Sequence, residues 1–142
     1  MMLPSDTDPV ASLFVYGTLR QASRSDMAVW LGKRAQWAGS ADICGFLYLL
    51  DGYPGLVMDA HGERVRGDLY TLPSGEEGAA LLASLDDFEE CTAHFPLPHE
   101  YQRVVAKVDF EGSRVRAWTY VYCWSASGWP RIIGGDFLNP LP

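Results

Sequence analysis

The chain is short of the residues on which many small-protein chemistries depend. Its 142 residues include only three cysteines and three histidines. Cys44, Cys91 and Cys123 are odd in number and show no C-x-x-C spacing, which argues against a disulfide framework and against a zinc site. They read as ordinary thiols of a reducing compartment. His61, His94 and His99 lack metal-ligand spacing, so no metal is expected and all three read as exposed loop residues. Positive charge is also scarce: 11 Lys and Arg stand against 18 Asp and Glu, for a net charge of −7. Only Lys33 and Arg34 are adjacent, and no basic stripe exists to release counterions from phosphates. Nucleic acid and anionic membrane are therefore poor partners. No apolar run approaches the roughly 20 residues that a membrane-crossing helix needs. Residues 1–10 carry Asp6, Asp8 and two prolines, without the basic and apolar regions of a signal peptide. They are expected to be a flexible lead-in, and the protein to be cytoplasmic. Repeats, low-complexity tracts and a domain linker are absent too, which leaves residues 11–142 as one domain.

What is present is a globular composition, 48% hydrophobic and 13% aromatic. Ser12–Tyr16 is a continuous apolar run ended by Gly17, which suits a strand buried on both faces. Ser25 is placed to cap a short helix over Asp26–Leu31, with Gly32 as its stop. Ile43–Leu50, Leu56–Met58 and Val65–Leu72 read as strands, with turns at Asp51–Gly55 and His61-Gly62. Ser74 and Glu77 match a capping box at the start of the one long helix, whose Leu81, Leu82, Leu85 and Phe88 form an apolar stripe. Tyr101–Phe110 and Arg114–Trp124 follow as two long strands, and the Glu111-Gly112-Ser113 link predicts a hairpin. Many strands with one main helix define an α+β domain, in which a curled sheet or small barrel is expected.

Glu89 stands out on that helix. It lies four residues after Leu85 and seven after Leu82, on the face that should be buried, whereas Asp86, Asp87 and Glu90 are turned toward water. An apolar stripe and the negative end of the helix dipole both disfavour its ionised form. A carboxyl group able to trade a proton near neutral pH is the expected result. Periodicity alone favours the other outcome, in which the helix frays before Glu89 and leaves it solvated or in a structural salt bridge. The other notable segment is Tyr16-Gly17-Thr18-Leu19-Arg20, directly after a buried strand. A glycine there lets backbone approach a ligand, and successive N–H groups can hold an anion or oxyanion. It lacks the spacing of a dinucleotide fingerprint and the Lys of a P-loop, so a plain strand-ending turn remains open.

Three weaker signals point elsewhere. Cys91 and His94 have no third residue to orient them as a nucleophile and its base. Trp118, Trp124 and Trp129 have no basic groove beside them and read as core and rim packing. Tyr120 and Tyr122 share one parity on their strand, and interior packing is the simpler role for both.

Taken in order, Leu13–Arg20, Tyr53–Val57, Val65–Tyr70, Leu85-Asp86-Asp87-Phe88-Glu89, Tyr101-Gln102-Arg103, Ala117–Tyr122 and Gly135-Asp136-Phe137 resemble the γ-glutamylcyclotransferase-like (AIG2-like) family, most closely its γ-glutamylamine cyclotransferase branch. The resemblance implies a small mixed β-barrel flanked by helices. It implies Glu89 as the catalytic acid/base, and Tyr16, Gly17, Thr18 and Leu19 as the loop holding the γ-glutamyl group. Arg103, Tyr120, Tyr122 and Asp136 are possible supporting residues. The implied reaction takes a small γ-glutamyl amine or peptide, uses no cofactor, and releases 5-oxoproline and a free amine. Rival readings are a non-catalytic small-ligand-binding domain of the same fold, and removal of a γ-glutamyl protecting group in a biosynthetic pathway. Three departures from the family pattern stand out: Glu90 where Gly is usual, Asp68 for the Glu of G-E-L-Y, and a long loop over residues 91–100.

Overall fold

The computed structural model describes residues 9–141, so the expected lead-in falls almost wholly outside the described residues. Six strands form one sheet: β1 (Ser12–Val15), β2 (Gln36–Leu50), β3 (Tyr53–Met58), β4 (Glu63–Thr71), β5 (Tyr101–Phe110) and β6 (Ser113–Tyr122). The order β2-β4-β1-β6-β5 closes on itself through the pair Asp42↔Asp109, and β3 adds to β2 outside the ring. The result is a closed five-stranded barrel with two helices, α1 (Asp26–Gly32) and α2 (Gly75–Phe88). None of the described helices is long and apolar enough to cross a membrane.

The alternation of each strand sorts side chains into two cores. Phe14, Ile43, Leu47, Leu56, Val65, Val108 and Ala117 pack in one cluster, with Ile132 and Phe137 of the C-terminal segment. Leu13, Val15, Tyr70, Tyr120 and Tyr122 point the other way and pack with Leu31 of α1 and Leu81 and Leu85 of α2. β1 feeds both clusters, which is why its apolar run does not alternate. Tyr120 and Tyr122 share a face, and it is the helix-covered face of the sheet.

Two hairpins are tighter than the sequence suggests. Asp51 and Gly52 have φ of 44° and 96°, and Glu111 and Gly112 have 49° and 80°. Both are two-residue loops with positive φ at each position, the twist that suits flanking antiparallel strands. Tyr53, Pro54 and Gly55 therefore belong to β3, not to the turn. β2 begins seven residues before the expected Ile43, because its first half, a mixture of small and polar residues with Trp37, pairs with β4 through a bulge at Trp37/Gly39. Gly39 has φ of 147°, and an added Cβ would meet the Phe110 ring at 3.1 Å.

Both helix starts follow Ser residues, with different outcomes. Ser25 Oγ accepts from Ala28 N at 3.1 Å, a working N-cap, and α1 runs one residue past Leu31 to include Gly32. Ser74 is the N-cap of α2 but its side chain makes no capping bond. Gly75 enters the helix with φ of 65°, so the geometry of a capping box is not formed.

Candidate active site

One end of the barrel opens into a cavity of about 280 Å³. Five separate parts of the chain build it: Phe14–Leu19, Tyr53-Pro54, Phe88-Glu89-Glu90, Glu100-Tyr101 and Tyr120. Glu89 and the whole Tyr16–Leu19 loop thus share one cavity.

Glu89 is the cap residue of α2, with φ −81° and ψ 4°, and its N–H donates to Leu85 O at 2.8 Å. The helix does not fray before it. Glu90 follows in the left-handed region with φ of 58°. Cys91 N then bonds Asp86 O at 2.9 Å and Glu90 N bonds Asp87 O at 3.1 Å, the paired bonds of a Schellman ending. The position where the family pattern has Gly is the one at which backbone geometry favours it. The Glu89 side chain is partly buried, and its pKa is pushed up to about 7. Desolvation is the main cause, followed by the charges of Glu100, Asp86 and Glu90.

The Tyr16–Leu19 loop is held by its carbonyls and by one ring. Gly17 O accepts from Arg20 N at 3.0 Å; Thr18 O accepts from the Ser23 hydroxyl and, at 2.6 Å, from Ser25 Oγ. The N–H groups of Gly17, Thr18 and Leu19 donate to no protein acceptor among the described residues. Gly17 lies against Pro54, where a Cβ would stand 2.8 Å from the ring Cγ. Tyr16 is buried, its hydroxyl donating to Tyr120 O at 2.6 Å and accepting from Leu56 N at 3.3 Å. Burial first, and then Glu89, holds the Tyr16 phenol protonated. Tyr101 closes the floor by donating to Pro54 O at 2.7 Å.

Arg103 and Tyr120 converge on Asp86, not on Glu89. Arg103 Nε and Nη2 reach the two Asp86 carboxylate oxygens at 2.7 and 3.1 Å, and Tyr120 OH donates to Asp86 Oδ1 at 2.7 Å. The guanidinium also stacks over Trp118 at 4.2 Å. Asp86 is therefore not a water-facing residue as helical periodicity suggests. Strands β5 and β6 rise beside the last turn of α2 and supply it with partners. Phe88 departs in the other direction. It is 46% exposed at the cavity rim, because α2 ends where the stripe has an opening to cover and no core. Tyr122 packs edge-on against Tyr101 and stays outside the cavity lining.

A buried ion cluster behind the loop went unread in the sequence. Arg20, 8% exposed, donates through Nη1 to Asp136 Oδ1 at 2.8 Å, and its Nε lies 4.0 Å from Asp68 Oδ1. Asp68 Oδ2 accepts from Gln21 N at 2.8 Å, and Asp136 Oδ1 also accepts from Leu138 N and Asn139 N. The cluster ties the loop to β4 and to the C-terminal segment. The Asp-for-Glu departure at position 68 falls here, beside the loop backbone. The signal lay in Arg20, the one charged residue following an otherwise apolar segment.

The barrel thus places one largely desolvated carboxyl group and a loop of free amides in the lining of a single cavity. The chain belongs to the γ-glutamyl cyclotransferase, AIG2-like family, whose model matches residues 13–139. No curated protein sequence matches it. Among solved structures, it is similar to an AIG2-like protein from Mus musculus, with 27% identity and a TM-score of 0.65 over 84% of this chain and 81% of that one. It is also similar to protein ytfP from Escherichia coli, with 29% identity and a TM-score of 0.60 over 90% and 96% of the two chains. The fold recurs in an allophanate hydrolase from Kluyveromyces lactis at 20% identity and a TM-score of 0.60, over 95% of this chain but 22% of that one.

Proposed function

We propose that the protein is a γ-glutamylcyclotransferase that acts on a γ-glutamyl amine or small γ-glutamyl peptide. The observation that carries this reading is the shared cavity of Glu89 and the Gly17–Leu19 amides. In the reaction the substrate's α-amine attacks its own γ-carbonyl. A new C–N bond closes the five-membered ring of 5-oxoproline, and the original amide C–N bond breaks. The α-amine is protonated near neutral pH, so a base must first remove a proton, and the departing amine must then receive one. Glu89, titrating near 7, serves both steps in turn. The free loop amides are suited to bind the substrate carboxylate or the oxyanion that forms on the γ-carbonyl. Holding the flexible glutamyl chain in its ring-closing shape supplies further rate. Arg103 and Tyr120 act through Asp86, by fixing the last turn of α2 and so the position of Glu89. Asp136 acts through Arg20 on the loop.

The test is release of 5-oxoproline from a panel of γ-glutamyl amines and dipeptides. Wild-type protein is expected to turn over part of the panel, and Glu89→Gln to lose on the order of 10² to 10⁴ in rate. Turnover that survives in Glu89→Gln removes this mechanism. No turnover by the wild type on any member favours a binding domain that retains the fold.

A further inference from the structure

The cavity carries more negative charge than the glutamyl group balances. Glu89, Glu90 and Glu100 all line it, while no Lys, Arg or His does among the described residues. A γ-glutamyl group brings one ammonium and one carboxylate. Under the cyclotransferase reading, Glu89 meets the ammonium, and the Gly17–Leu19 amides are available for the carboxylate or oxyanion. Glu90 and Glu100 then face the other half of the substrate, the amine that leaves.

Their surroundings fit a particular kind of amine. Glu100 accepts a hydrogen bond from Tyr53 OH at 2.8 Å, which fixes its carboxylate at the outer wall. Tyr53 and Phe88, 39% and 46% exposed, present aromatic rings at the same rim, with Tyr101 behind them. Carboxylates interleaved with aromatic rings attract an alkylammonium group, through charge and through the ring quadrupole. The same wall repels a carboxylate, which gives discrimination by exclusion as well as by attraction. A volume of about 280 Å³ lies at the small end of ligand pockets, enough for a glutamyl group and a short chain.

Resting on the cyclotransferase reading, we propose that the substrate is the γ-glutamyl amide of a diamine or polyamine. Its second ammonium sits between Glu90, Glu100 and the Tyr53 ring, and its amine half carries no carboxylate.

Three amides of matched length separate this proposal from the reading beneath it: those of 1,4-diaminobutane, pentylamine and 4-aminobutanoate. Their distal ends are positive, neutral and negative. With 5-oxoproline release as the readout, kcat/KM is expected to fall on the order of tenfold from the first to the second, and again to the third. In the double variant Glu90→Gln/Glu100→Gln the spread is expected to shrink to within about threefold, and salt at about 0.5 M should shrink it in the wild type. Equal turnover of all three amides, or a preference for the negative one, overturns the proposal and leaves the cyclotransferase standing. A positive preference that persists unchanged in the double variant overturns the assignment to Glu90 and Glu100. No release from any of the three amides overturns the proposal, and the cyclotransferase reading falls with it only if the γ-glutamyl dipeptides are not turned over either.

Discussion

Replacing Glu90 by glycine tests the helix ending on which the site is built. The residue occupies the left-handed region with φ of 58°, directly after the cap. A side chain held there costs about 1–2 kcal/mol, from the crowding of Cβ against the following carbonyl. Glycine removes that cost but returns about 0.5–1 kcal/mol through the greater freedom of the unfolded chain. Taking a carboxylate from the negative end of a helix adds a few tenths. The balance is a stabilisation of about 1 kcal/mol, which for a chain of 142 residues raises Tm by about 4 °C. Calorimetry measures the rise, and a urea titration with unchanged slope shows that the compactness of the denatured chain has not changed. Glu90→Ala is the control, since it removes the charge and keeps the Cβ; its Tm is expected to stay within about 1 °C of wild type, the yield of the charge alone. If Gly stabilises no more than Ala, or lowers Tm, the strain reading of this position is wrong.

Glu89 titrates in the folded protein near 7 against an ordinary 4.5, so the fold binds its proton more tightly than the unfolded chain does. That contribution to stability is full below about 4.5 and is lost as pH rises through about 7. Glu89→Gln should therefore gain on the order of 2 kcal/mol over wild type between pH 4 and pH 8, read by urea unfolding at both pH values. As a base the carboxylate must be ionised, so kcat/KM is expected to rise with pH through about 7; a flat profile removes Glu89 from the proton transfers. Asp86→Ala strands the Arg103 guanidinium and the Tyr120 hydroxyl, at a cost of about 2–3 kcal/mol. A double-mutant cycle with Arg103→Ala should show coupling above about 1 kcal/mol, and additive losses would mean that the pair is incidental. Gly17→Ala presses a methyl group into Pro54 and should displace the loop. It is expected to lower kcat/KM at least about tenfold while Tm moves by only a few degrees.

Where the sequence was legible, a strong period met a simple environment. β5 spans Tyr101–Phe110, the bounds read from the sequence, and Glu89 lines a cavity on the face shared with Leu82 and Leu85. Legibility failed where partners came from far along the chain. Nothing near Asp86 announces that Arg103 and Tyr120, 17 and 34 residues later, will reach it. The first half of β2 mixes small and polar residues and is broken by Gly39, so no local pattern marks it as a strand until β4 pairs with it. The capping box failed for a local reason: the glycine after Ser74 offers the chain a left-handed entry that a residue with a side chain resists. Arg20, Asp68 and Asp136 sit 116 residues apart from first to last, and only the closed barrel explains why charges are buried there.

The place of β1 in the ring has a consequence for how the chain is made. It lies between β4 and β6, antiparallel to the first and parallel to the second, where Leu13 stands opposite Trp118. On a ribosome, Leu13-Phe14-Val15 emerges before the other strands of this barrel, yet one of its edges has no mate until β6 has been synthesised. For that interval the nascent polypeptide displays a bare, greasy ribbon that invites pairing with other chains. Its brevity, four residues, limits that hazard.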